Sequence, residues 1–181
     1  MRKIVSLVLA ILFMTISSAV PAAFAESNKR LSEEEVHLLV AEANGKIDSL
    51  IENAVEDSEK LESRYVKEKQ KTQERIVQVQ SVITSLAIEL QDENDDEKLL
   101  KKMENAEEKL LKENENLEKL QNKFNEKLDR LIQNLLDVTN EISADTISKA
   151  AESGITVECT WVLVEFGGKK VWVDPLKVVG P

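Results

Sequence analysis

The sequence predicts a mainly α protein: a long antiparallel two-helix coiled-coil hairpin with a small C-terminal β-hairpin. Three observations carry this. Apolar residues recur at steps of three and four over two long stretches, separated by the acidic, apolar-free segment Gln91–Lys98. Charged residues make up 32% and aromatics only 4%, with 5 Gly and 3 Pro, a composition of long helices rather than of a thick core. After Gly154 the chain turns abruptly β-branched and aromatic. The resulting division is 1–25 signal peptide, 26–31 polar lead-in, 32–152 helical hairpin with its turn at about 91–98, and 153–181 β-hairpin tail.

Residues 1–25 have the pattern of an export signal. Arg2 and Lys3 precede an uncharged run, Ile4 to Ile16, and Ala23-Phe24-Ala25 is a small-x-small cleavage motif. The run has 13 residues, short of the roughly 20 that cross a bilayer as a helix. The expectation is a chain that starts at Glu26, spans no membrane after cleavage, and is secreted or cell-wall-associated. Removing Arg2 and Lys3 takes the net charge from −10 to −12. Such acidity opposes binding to nucleic acid and other polyanions and identifies no partner.

Ser32-Glu33-Glu34-Glu35 is a capping box, with Leu31 placed as a hydrophobic staple. Val36, Leu39, Val40, Ala43, Ile47, Leu50, Ile51 and Ala54 then lie on one helix face. Asn44-Gly45 interrupts the run, but the period passes through it, so the helix is expected to continue. The stripe thins between Glu56 and Arg75, where only Leu61, Tyr65 and Val66 are apolar. It resumes as Ile76, Val79, Ile83, Leu86 and Leu90. Leu61 and Ile76 are fifteen residues apart, so the heptad phase slips once in the charged middle.

Asn and Asp in Gln91–Lys98 favour a turn, with Asp95 or Asp96 capping the next helix. A calcium loop starting at Asp92 would need Gly at its sixth position and Glu at its twelfth, and finds Glu97 and Met103. No metal site is expected. In the second helix Met103, Leu110, Leu117, Phe124, Leu131 and Val138 stand seven apart. Taking Leu100, Glu107, Asn114, Gln121, Leu128, Leu135 and Ile142 as their companions leaves three successive polar positions, read as a wet seam. Ser143–Thr146 is a candidate kink, and Gly154 followed by Ile155 fits a Schellman stop.

In the tail, Gly167-Gly168 suits a two-residue turn with positive φ. That turn sets Leu163 opposite Trp172, Val164 opposite Val171, Val162 opposite Val173 and Glu165 opposite Lys170, and Pro175 ends the pairing. A lone hairpin is marginal in water, so this one must dock. One face is expected on the open end of the helices near Val36, Leu39 and Ile147, and the other on a partner. Trp161, Leu163 and Trp172 share a face and are the candidate anchors, with the helices as their support.

A turn near residues 93 and 94 places residue i opposite about residue 187 − i. Apolar clusters then meet at both ends but not in the middle, where Leu117, Phe124 and Leu128 face charged residues. Either Leu61, Tyr65 and lysine stems cover them, or they are a stripe for self-association into a dimer or four-helix bundle.

Catalytic constellations are absent. His37 stands alone near the start of the first helix, and Cys159, the single thiol, has no intramolecular disulfide partner. Cys159 is read as an apolar strand residue, with an intermolecular disulfide or reactive thiol as the alternative. No catalytic, cofactor-binding or metal residue is assigned.

The tail Val157-Glu158-Cys159, Trp161, Gly167-Gly168, Val171-Trp172-Val173-Asp174-Pro175-Leu176 and Val178-Val179-Gly180 resembles the ending of small exported coiled-coil proteins of Gram-positive bacteria. The likeness covers about thirty residues and brings no catalytic residue with it. More loosely, a signal followed by a helical hairpin resembles the coiled-coil regulatory part of exported cell-wall hydrolases, here without the hydrolase domain. The resulting expectation is an exported, non-enzymatic coiled-coil protein that acts by protein–protein interaction or self-association. A small wall-associated enzyme or hydrolase regulator using the Cys159 region, and an extracellular holdase, are the alternatives.

Overall fold

A computed structural model describes residues 30–92 and 96–180. Residues 1–25, read above as an export signal, lie outside the described residues, as does the centre of the acidic segment expected to turn. Helix α1 runs Glu33–Asp92 and helix α2 runs Glu97–Glu152, packed side by side as an antiparallel hairpin. At 1.5 Å per residue each arm is about 85–90 Å long.

The ends form for local reasons. Glu35 N–H donates to Ser32 Oγ at 3.2 Å and Ser32 N–H donates to Glu35 Oε2 at 2.7 Å, closing the capping box. Leu31 joins the apolar cluster that holds Val36, as a staple should. Asp96 caps α2 through Lys98 N–H at 2.8 Å. The other end of α2 closes as a Schellman motif. Gly154 has φ +79°, Gly154 N–H donates to Ala151 O and Ile155 N–H donates to Ala150 O.

Cross-helix contacts follow the expected pairing. Arg75 meets Glu113, where 112 is expected, and Tyr65 bonds Gln121, where 122 is expected. The phase slip is located too. Leu61, Tyr65, Lys69, Thr72 and Ile76 all turn inward, an extra step of four in the seam. The Lys69 ammonium lies 5.6 Å from the centre of the Tyr65 ring.

The α2 seam differs from the expected frame. Leu99, Ala106, Glu113 and Leu120 accompany Met103, Leu110 and Leu117, while Leu100, Glu107 and Asn114 are exposed. No wet seam of three polar residues exists there. An α-helix rotates slowly past a heptad, and near the open end the seam has moved to Leu135, Thr139, Ser143 and Thr146, leaving Val138 exposed. α2 passes through Ser143–Thr146 without a break.

The tail forms four short strands: β1 Thr156–Cys159, β2 Val162–Phe166, β3 Lys169–Val173 and β4 Leu176–Gly180. β2 pairs with β3 in the expected register, Leu163 opposite Trp172. The β2–β3 ladder stops at Val162 opposite Val173, just before Pro175 as expected, but pairing resumes beyond the proline as β1–β4. Cys159 stands opposite Leu176, in step with Val162 opposite Val173, so the two ladders are parts of one ribbon. Proline lacks an N–H, and across the gap Thr160 N–H donates to Pro175 O at 2.6 Å.

At this gap the ribbon turns over. Val157, Leu176 and Val178 face the helices in β1–β4, but Val164, Phe166, Val171 and Val173 do so in β2–β3. β1 lies against α2 and β4 against α1, whereas β2 lies against α1 and β3 against α2. β1–β4 caps the open end with Val36, Val40, Ala43 and Ala150. β2–β3 runs on along the helices, burying Phe166 and Val173 against Ile47, Ala54, Phe124, Leu128, Ile132 and Leu135. The ribbon is thus part of the core, not a passenger on a self-sufficient helical support.

Candidate functional site

The candidate site is the outer face of β2–β3, and it exists because the inner face is held firmly. Gly167 and Gly168 have φ of +52° and +83°, the paired positive values of a tight hairpin turn. Gly167 sits on α2, where an added Cβ would come within 3.2 Å of Leu128 Cδ2 and 3.4 Å of Phe124 Cζ. The Lys169 ammonium pairs with Asp129 beside it. At the other end Asn44 grips the backbone of Leu176 twice, donating to its carbonyl at 2.9 Å and accepting from its N–H at 2.7 Å. Ser143 Oγ donates to Asp174 O at 3.2 Å, and Leu31 N–H donates to Ser153 Oγ at 2.9 Å.

With that face anchored, alternation along the strand turns Leu163 and Trp172 outward, directly across from each other. Trp161, two residues before Leu163, lies beside them. The three are 65% (Trp161), 47% (Leu163) and 54% (Trp172) exposed, and the two indoles line a shallow groove. Tyr65, Phe124 and Phe166, the other aromatics among the described residues, are buried or half-buried. Glu165 and Lys170 form the next cross-strand pair on the same face, both exposed. The ribbon carries Glu158, Glu165 and Asp174 against Lys169, Lys170 and Lys177, a neutral module in a chain of net charge −10.

The helical candidates fare differently. Phe124 and Leu128 are buried within this chain, so they are not a stripe awaiting a second one. The Tyr65 ring stacks on Phe124 at 4.5 Å between centroids and 20° between planes. Ala54 and Leu61 of α1 belong to the same cluster, and the ribbon adds its own Phe166 and turn, which pairing the two helices alone could not supply. Leu117 is half-buried in the helix seam.

Cys159 is half-buried beside the open-end cluster and free of any disulfide. Burial, then the charge of Asp174, pushes its thiol up from the ordinary 9.0, so it stays protonated at neutral pH. The Asp174 carboxyl is itself pushed up by burial, and its Oδ1 has no hydrogen-bond partner. His37 is exposed on α1. Among the described residues no three His, Cys, Asp or Glu side chains gather as metal ligands, and no helix is long and apolar enough to cross a membrane. The centre of the candidate calcium loop lies outside the described residues.

Comparison with protein-family models, with curated proteins and with solved structures finds no match to the chain.

Proposed function

We propose that this chain is an exported, non-enzymatic protein that acts by protein–protein contact, with the outer face of β2–β3 as its docking surface. The observation that carries the reading is the outward placement of both tryptophans beside Leu163 on a ribbon whose other face is locked into the core. Exposed apolar residues scattered singly are ordinary, but a contiguous aromatic patch on a rigid element is a feature of binding surfaces. Tryptophan contributes a large contact area with little conformational entropy to lose, and its indole N–H stays available for a hydrogen bond. The residue 1–25 pattern supports export.

Photocrosslinking tests this. A benzoylphenylalanine replacing Trp161 or Trp172 is irradiated in the producing culture, with the exposed helix position Lys101 as control. Discrete protein adducts from positions 161 and 172, absent from 101, are expected. No adduct from either ribbon position, or the same adducts from all three, overturns the proposal.

A further inference from the structure

We propose that this surface pairs with the same surface of a second copy of the chain, an inference that rests on the docking reading above. The argument comes from the register. Glu165 is directly across from Lys170, and Leu163 is directly across from Trp172. A two-fold axis laid along the ribbon, in the plane of contact, sets β2 of one copy over β3 of the other at the same level. Each Glu165 then meets the partner copy's Lys170, and each Leu163 meets the partner copy's Trp172. The face is complementary to itself in both charge and shape class, as an isologous interface requires. Among the described residues neither Glu165 nor Lys170 has an ion-pair partner within its own chain, so both are available.

The approach is unobstructed, because the helices lie behind the opposite face of the ribbon. The contacting module is itself neutral, with three acidic and three basic residues, so the contact adds no net like charge of its own to the repulsion between two acidic chains. The area sets the strength. Two half-exposed indoles and a leucine offer about 300 Å² of apolar surface per copy. With the charged pair added, the contact buries about 1,000 Å² in all, the lower limit for a specific interface. The dimer is therefore weak and depends on concentration.

A charge-exchange experiment tests the pairing. Sedimentation velocity on the purified protein between about 10 μM and 1 mM, a range suited to a contact this small, is expected to show a monomer–dimer equilibrium. Lys170→Glu and Glu165→Lys each set like charges against each other at both symmetric contacts and should weaken dimerisation about tenfold or more. An equimolar mixture of the two variants restores opposite charges at both contacts, so dimerisation should return. Both positions are exposed, and far-ultraviolet circular dichroism checks that the variants remain folded. A wild type that stays monomeric throughout, single variants that dimerise like wild type, or a mixture that fails to recover each overturns the pairing. If the crosslinks from 161 and 172 then lead to a different protein, the docking reading stands without self-association. If they lead nowhere, both fall.

Discussion

Two glycines show how differently one residue type is used along this chain. At Gly45, exposed in the interior of α1, an added Cβ would meet nothing within 4 Å. The residue keeps the entropic cost of glycine in a helix and gains nothing sterically. Gly45→Ala should therefore raise stability by about 0.5–1 kcal/mol, read as a higher urea midpoint at unchanged slope. At Gly167 the backbone is left-handed and the Cβ would press on Leu128, so Gly167→Ala should lower stability by at least about 1–2 kcal/mol in the same assay. Equal effects of the two changes would contradict the structure. Asp174 yields a pH prediction. Its carboxyl is raised above the ordinary 3.8 by burial, so the folded state holds that proton more tightly than the unfolded one. Its contribution is most favourable below its unfolded pKa and declines as pH rises through the interval up to its raised folded value. Asp174→Asn removes that decline. The stability of the variant relative to wild type should grow from about pH 4 upward, and a pH-independent difference would sink the assignment. Because the Asp174 charge also raises Cys159, the variant should alkylate faster at mildly alkaline pH. These residues differ in how far the sequence exposes them. The Gly167-Gly168 turn is visible because only a tight turn wants two such glycines between β-branched runs. Asn44 is not: beside Gly45 it resembles a turn, and its grip on Leu176 spans 132 positions.

At the scale of the elements, the helices were legible because their signal is local. Caps, stops and a three-four period are properties of neighbouring residues, and the capping box, the Asp96 cap and the Schellman stop all form as the sequence predicts. The seam frame was less legible because the adjacent Leu99 and Leu100 are equally apolar, so a heptad count does not choose between them, and because such a count overlooks the buried hydroxyls that both helices place in the seam. Ser58, Thr72, Thr139 and Thr146 occupy seam positions and satisfy themselves by donating to carbonyls three or four residues earlier in their own helix. The ribbon was legible in register but not in orientation. Strand alternation carried through residue 160 puts Val157 and Trp161 on one side, yet Val157 is buried and Trp161 exposed. The reversal comes where Pro175 interrupts the ladder and the ribbon turns over, an event that periodicity cannot encode. The two faces of β2–β3 make opposite predictions. Phe166→Ala empties a fully buried site between the helices and should lower stability by about 3–5 kcal/mol. Trp172→Ala, on the outer face, should change stability by less than about 1 kcal/mol while weakening docking. If chemical denaturation gave both variants the same loss, the assignment of inner and outer faces would be wrong.

At the scale of the whole molecule, thickness changes along the hairpin, and stability should change with it. From the open end to about Phe124 the two helices are overlaid by the ribbon, and two apolar clusters draw residues from both layers. Beyond Arg75–Glu113 toward the turn only two helices remain, and the buried cluster there is Leu86, Leu99 and Ala106, with Ile83, Leu90 and Met103 half-buried beside it. A pair of helices buries one stripe each, so each distal residue forfeits less apolar area on opening than a proximal one does. The ion pairs along the arms do not compensate. They are mostly exposed Lys–Glu pairs within one helix, worth a few tenths of a kcal/mol apiece. The distal third should therefore open as a separate cooperative unit, at lower free energy than the clamped end. Amide hydrogen exchange measures this directly. Peptides from 76–90 and 97–112 should exchange faster than those from 40–58 and 124–150, although all four are continuous α-helix. Leu86→Ala, a loss of about 2–4 kcal/mol in a well-packed site, should accelerate the distal peptides and leave the proximal ones at their wild-type rates. Acceleration spread evenly along both arms would mean that the hairpin opens as one unit, and that the ribbon confers no extra local protection on the helices it covers.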